Sequence, residues 1–97
     1  MKYLHTSPLT MNFKVLMNRM GYHEQQSRKT GIISYIRRLS GSAYPRFHLY
    51  VDSSEQGIQF KIHLDEKQAS YENHTAHSGQ YDGDLVNAEM ERIKQYL

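Results

Sequence analysis

The sequence contains no cysteine, and this absence limits the chemistry that the protein can perform. Without thiols the chain has no disulfide framework, no thiolate zinc site and no thiol nucleophile. It also has no apolar run near the roughly 18 residues that a membrane-spanning helix needs. The first residues, MKYLHTSP, lack the apolar segment of a secretory signal. We therefore expect a cytoplasmic protein with no membrane partner.

Several motifs that carry enzymatic chemistry are also missing. The six glycines form no phosphate-binding loop and no dinucleotide-binding fingerprint. No serine lies in the Gly-x-Ser-x-Gly turn of many hydrolases, and the aromatic signature of common RNA-binding sheets is absent. These absences favour a non-enzymatic protein and make binding the first hypothesis.

The chain is short and polar. Its 97 residues have room for one domain over 1–97, and 38% of them are hydrophobic, with a mean hydropathy of −0.76. Three clusters of aliphatic and aromatic residues nevertheless predict a folded core rather than disorder. Residues 1–7 are considered as a flexible N-terminal extension of that domain.

Apolar residues at helical spacing predict one helix near each end of the chain. The first covers about residues 8–20, because Ser7 and Pro8 are typical of a helix start and Gly21 is typical of a helix end. The second follows Gly83 and has an apolar stripe that includes Val86. Residues 66–81 lack apolar periodicity and are predicted to form a long loop.

Three strands are predicted between the helices, over residues 32–39, 47–52 and 58–65. The last two form a hairpin with two possible registers. We favour the one that leaves a four-residue loop and places His48 opposite Lys61; the other places His48 opposite His63. The predicted fold is therefore α+β, with an N-terminal helix, a three-stranded antiparallel sheet, a long loop and a C-terminal helix.

Charge is distributed unevenly along the chain. Residues 1–50 hold eight Lys and Arg against one acid, a net +7, whereas residues 51–97 hold four against nine acids, a net −5. A basic half with tyrosines is typical of a surface that contacts phosphates and stacks on bases. We therefore predict a small non-enzymatic module that binds nucleic acid or a nucleoprotein complex. Its contact residues would be Arg19, Arg28, Lys29, Tyr35, Arg37, Arg38, Tyr44 and Arg46.

Two alternatives remain open. A mixed-charge surface on a small chain is also typical of a protein–protein regulator or inhibitor, such as the viral or mobile-element inhibitors that block nucleic-acid-processing complexes. The second alternative is a metal-dependent hydrolase. Imidazole and carboxylate groups are suitable ligands for a divalent metal, and the residues concerned are His63, Asp65, His74 and His77.

A sequence pattern in the second half of the chain resembles one in small uncharacterised bacterial proteins. It consists of His-Leu-Asp at 63–65, His-Ser-Gly at 77–79 and Tyr-Asp-Gly at 81–83. The resemblance implies no activity, cofactor or partner. It implies only that the long loop is a defined feature of the protein.

Overall fold

The protein is built from one antiparallel sheet and two helices. The computed structural model describes residues 1–67, 79 and 80, and 83–97, and the structural statements below refer to these residues. In chain order the elements are β1 (Lys2–His5), α1 (Phe13–Met20), β2 (His23–Gln26), β3 (Ile33–Arg38), β4 (Arg46–Ser54), β5 (Gly57–Asp65), β6 (Gly79–Gln80) and α2 (Asp84–Lys94).

The sheet is five strands wide, in the order β1-β5-β4-β3-β2, and every pairing is antiparallel. The short strand β6 pairs with the last two residues of β5. β4 pairs along the whole of one edge of β5. β1 and β6 therefore both pair with the other edge of β5, where β1 lies beside residues 58–61 and β6 lies beside residues 64 and 65. No helix in the described part of the chain is long and apolar enough to cross a membrane.

The prediction of a three-stranded sheet preceded by a helix is wrong. The chain starts with a strand, β1, where a flexible extension was expected, and β2 lies in a segment without a predicted element. Both strands have four residues, and β2 has the sequence HEQQ, which contains no apolar side chain. Backbone pairing with a neighbouring strand stabilises such edge strands, so side-chain periodicity gives little sign of them.

The first helix is shorter than predicted. It begins at Phe13 because the Asn12 side chain caps it, accepting hydrogen bonds from the backbone N–H groups of Lys14 (2.9 Å) and Val15 (3.4 Å). Gly21 ends the helix in the left-handed conformation, with φ 90°, as predicted. The second helix and the three central strands are confirmed near their predicted positions.

Both helices pack on the same face of the sheet. Buried side chains from α1, α2, β4 and β5 form one core cluster, which also includes Tyr22. Its members are Leu16, Met17, Met20, Tyr22, Phe47, Leu49, Phe60, Ile62, Leu64, Val86, Met90 and Ile93. In the described part of the chain no helix covers the opposite face of the sheet, and we call this the open face.

A buried polar network joins α2 to Tyr22 and to the sheet. Glu89, with 4% of its surface exposed, accepts a hydrogen bond from the Tyr22 hydroxyl at 2.6 Å and from Arg92 Nε at 2.7 Å. Arg37 of β3 lies 3.4 Å from the same carboxylate. Burial, together with the adjacent carboxylate, raises the pKa of Tyr22 far above its ordinary value. Tyr22 therefore remains a neutral donor to Glu89.

The β4–β5 hairpin adopts the register that was not favoured. His48 lies opposite His63, because both strands continue to a two-residue turn between Ser54 and Gly57. The favoured register assumed that the strand ended at Asp52, which required a longer loop. Ser54, whose Oγ accepts from the backbone N–H of Gln56 at 3.2 Å, instead extends the ladder.

Gly57 is required at the hairpin turn, and we predict that Gly57→Ala is destabilising. Its φ of 143° is strained for other residues, and a Cβ there would overlap the backbone carbonyl oxygen of His5 in β1. We expect the substitution to lower the free energy of unfolding by about 2–4 kcal/mol. Urea denaturation measures this loss.

The control is Gly41→Ala, since no atom lies within 4 Å of a Cβ built at Gly41. Its effect should stay within about 0.5 kcal/mol. Equal effects of the two substitutions would contradict the close packing of β1 against this turn.

Candidate metal centre on the open face

The open face carries most of the polar side chains of the two longest strands. Side chains alternate between the faces, so residues opposite each other share a face. Arg46 lies opposite Asp65, His48 opposite His63, and Tyr50 opposite Lys61. The apolar residues between them point into the core, and three polar pairs therefore lie side by side on the open face.

Asp65 holds two histidines together, and we call His48, His63 and Asp65 the His–Asp cluster. One carboxylate oxygen, Oδ2, lies 3.1 Å from His48 Nδ1, and the other, Oδ1, lies 2.8 Å from His63 Nε2. The two imidazole centroids are 5.0 Å apart. All three side chains are largely buried, with 11–15% of their surface exposed.

A second layer of contacts fixes the cluster. The Ser34 hydroxyl lies 2.7 Å from His48 Nε2, and Ser34 is itself buried. Arg46 Nε donates to Asp65 Oδ2 at 3.2 Å. The Tyr50 ring stacks on His48, with centroids 4.6 Å apart and an interplanar angle of 23°. His48 and Asp65 are thus each oriented by neighbours outside the cluster that pack or hydrogen bond.

These contacts keep Asp65 ionised. Burial by itself would raise the pKa of Asp65, but the hydrogen bonds from His48 and His63 and the charges on these imidazoles outweigh it. The pKa of Asp65 is consequently held well below its ordinary value. The cluster therefore contains a carboxylate at neutral pH.

One ligand atom from each cluster residue lies within 4.8 Å of the other two, so the cluster can hold a metal ion. The atoms that face Asp65 are His48 Nδ1 and His63 Nε2. Without a metal, these nitrogens act as N–H donors to the carboxylate. With a metal they would need their lone pairs, and His48 would then donate its Nε2–H to Ser34.

Sequence reasoning identified two of the three cluster residues. His63 and Asp65 belonged to the predicted metal set, whereas His48 did not. The signal that could have found His48 was the alternative hairpin register, which places it directly opposite His63. The other two predicted ligands, His74 and His77, lie outside the described residues.

The predicted nucleic-acid contacts do not form one surface. Arg37 and Arg38 point to opposite faces of the sheet, and Arg37 pairs with Glu89 below the helices. Arg46 forms an ion pair with Asp65 of the His–Asp cluster, and its guanidinium carbon lies 4.6 Å from the centroid of the Tyr44 ring. Arg19 lies on α1, Tyr35 packs against Phe13 on the helix side, and Arg28 and Lys29 lie between β2 and β3.

Comparison with protein-family models, with curated proteins and with solved structures finds no match for this chain. The functional proposal below is therefore based on the geometry of the open face.

We predict that the Asp65 carboxylate stabilises the fold even without a metal. Asp65→Asn replaces a charged acceptor that serves two imidazoles and Arg46. We expect the free energy of unfolding, measured by urea denaturation in the presence of a chelator, to fall by about 2 kcal/mol.

Asp52→Asn is the matched control, because Asp52 is exposed on the same face and makes no ion pair among the described residues. It should change the free energy of unfolding by no more than about 0.5 kcal/mol. If the two variants were equally stable, the cluster would have no role in holding β4 to β5.

Proposed function

We propose that this protein is a divalent-metal protein whose centre is the His–Asp cluster. The observation that carries the proposal is the convergence of two imidazole nitrogens and one carboxylate within 4.8 Å on the open face. Two imidazoles and a carboxylate suit zinc, and they also suit other first-row divalent metals. Zinc is the metal that we propose.

The contacts around the cluster support this assignment. A metal-binding histidine normally donates its second ring N–H to an acceptor, which fixes the ring and its tautomer. Ser34 Oγ, at 2.7 Å from His48 Nε2, is such an acceptor. Ligating carboxylates are hydrogen-bonded in the same way, and Arg46 supplies that bond to Asp65.

The described part of the chain gives this cluster three protein ligands, and three ligands favour a reactive centre over a structural one. Structural zinc sites usually have four protein ligands, whereas catalytic sites have three and keep a position for water or substrate. In hydrolytic zinc enzymes the bound water is acidified to a pKa near 7 and becomes a nucleophile. We therefore propose metal-dependent hydrolysis as the reaction class of this site.

Arg46 sets a limit on the strength of metal binding. Its guanidinium lies 3.2 Å from Asp65 and partly neutralises the charge that would attract a cation. We expect weaker binding than at a closed site of four protein ligands.

Zinc titration tests the proposal. We expect one zinc ion to bind per chain, and His63→Ala to weaken binding by at least about 100-fold, because it removes a ligand. Isothermal titration calorimetry gives both the stoichiometry and the affinity. His23→Ala is the control, since His23 is an exposed histidine of β2 outside the cluster. Failure to bind zinc, or equal weakening by both variants, would contradict the proposal.

We predict a smaller loss for Ser34→Ala. This variant keeps all three ligands and removes only the acceptor for His48 Nε2. Loss of such an outer partner weakens metal binding by about 10–100-fold. Ser34→Thr retains the hydroxyl and should keep much of the affinity. Unchanged zinc affinity in Ser34→Ala would show that Ser34 does not orient the ligand.

Nucleic-acid binding is kept as a second proposal. It is favoured by the excess of cations on the described part of the open face, where Lys2, Lys61, Arg38 and Arg46 outnumber Asp52 and Asp65. Binding to a protein partner stays a prediction from the sequence. An oligonucleotide titration, described below, separates nucleic-acid binding from binding of a small anion.

A further inference from the structure

A groove of about 550 Å³ lies on the open face beside the His–Asp cluster. His63 lines it, so the groove reaches a cluster residue. Lys2 and Lys61, which we call the lysine pair, line it as well. Lys61 is two residues from His63 on the same face of β5, a separation of about 7 Å along the strand.

The lysine pair destabilises the folded protein when no ligand is bound. Lys2 of β1 lies directly opposite Lys61 of β5, and like charges in that position destabilise a sheet. Neither lysine has a carboxylate within ion-pair distance among residues 1–67 and 83–97. Asp52 lines the same groove but forms no ion pair with them. A bound anion would compensate the two charges.

Apolar side chains line another part of the groove. Ile32, which directly precedes β3, is 55% exposed and lines the groove. The side chain of Tyr50, which lies on the open face, also lines the groove. A ligand that fits this lining has an apolar or aromatic part as well as an anionic group. A volume of a few hundred Å³ is typical of sites for small organic ligands.

We propose that the groove binds a phosphate monoester, with its phosphate between the lysine pair and the metal and its organic part on Ile32 and Tyr50. A monoester carries nearly two negative charges at neutral pH and matches two lysines, whereas a carboxylate or a phosphodiester carries one. A phosphate oxygen can also be a ligand to a metal ion that the three cluster residues of the described chain hold. This proposal rests on the metal centre proposed above.

Calorimetric titration with phenyl phosphate tests the proposal on the full-length chain. We expect the zinc-loaded protein to bind phenyl phosphate at least 10-fold more tightly than the metal-free protein does. Phenyl sulfate has a similar shape but a single charge, and it should bind at least five-fold more weakly than phenyl phosphate. Zinc affinity is measured on the same samples.

The decisive variant is Lys2→Met/Lys61→Met, which removes both charges and relieves their repulsion. We expect it to remain folded, to bind zinc within two-fold of the parent, and to lose at least 10-fold in affinity for phenyl phosphate. Lys14→Met is the control, because Lys14 lies on α1, away from the open face. It should bind phenyl phosphate as the parent does.

The possible outcomes distinguish failure of the phosphate site from failure of the metal centre. If zinc binds at the cluster but phenyl phosphate does not bind, or binds equally to the lysine-pair variant, the phosphate site is overturned and the metal centre stands. If zinc does not bind, both proposals fall. If an oligothymidylate without a terminal phosphate binds more tightly than phenyl phosphate, the monoester proposal is overturned in favour of nucleic acid.

Discussion

The pairing of β4 with β5 is the constraint on which the rest of the structure depends. These nine-residue strands are the two longest, and their register determines which side chains lie on each face. Phe47, Leu49 and Ile62 point to the helices and are buried there. The same register places His48 directly opposite His63 on the other face. A shift by two residues would keep the core face apolar and would separate the two histidines.

Two polar networks secure this sheet from opposite sides. On the helix side, Glu89 holds Tyr22 and Arg92, and thereby joins α2 to the start of β2. On the open face, Asp65 holds His48 and His63 across the central hairpin. In the first network both carboxylate oxygens of Glu89 accept hydrogen bonds from Tyr22 and Arg92. The second uses nitrogens that can bind either a proton or a metal, so its chemistry can extend beyond stability.

Sequence reasoning recovered the parts of the fold that have strong side-chain periodicity. The strands around Phe47 and Phe60 and the helix around Met90 were found because apolar residues recur there at fixed spacing. The strands at Lys2–His5 and His23–Gln26 were missed because backbone pairing, rather than a buried side-chain stripe, defines them. The extent of the hairpin was missed because Ser53 and Ser54 are typical of a turn but continue the ladder.

Side-chain alternation along the strands also made part of the candidate site predictable. Alternation places His48 and His63 on one face in either register, but only the true register makes them direct neighbours. Contacts of Ser34 and Arg46 with the cluster depend on the order of β3, β4 and β5, which the sequence pattern does not specify.

The central claim is that two imidazoles and one carboxylate form a metal centre, and the state of the imidazole nitrogens tests it most directly. Long-range ¹H–¹⁵N correlation spectra distinguish protonated, unprotonated and metal-bound ring nitrogens. On addition of one equivalent of zinc, we expect His48 to bind through Nδ1 and keep a proton on Nε2, and His63 to bind through Nε2. Spectra of both rings that do not change with zinc would contradict the account.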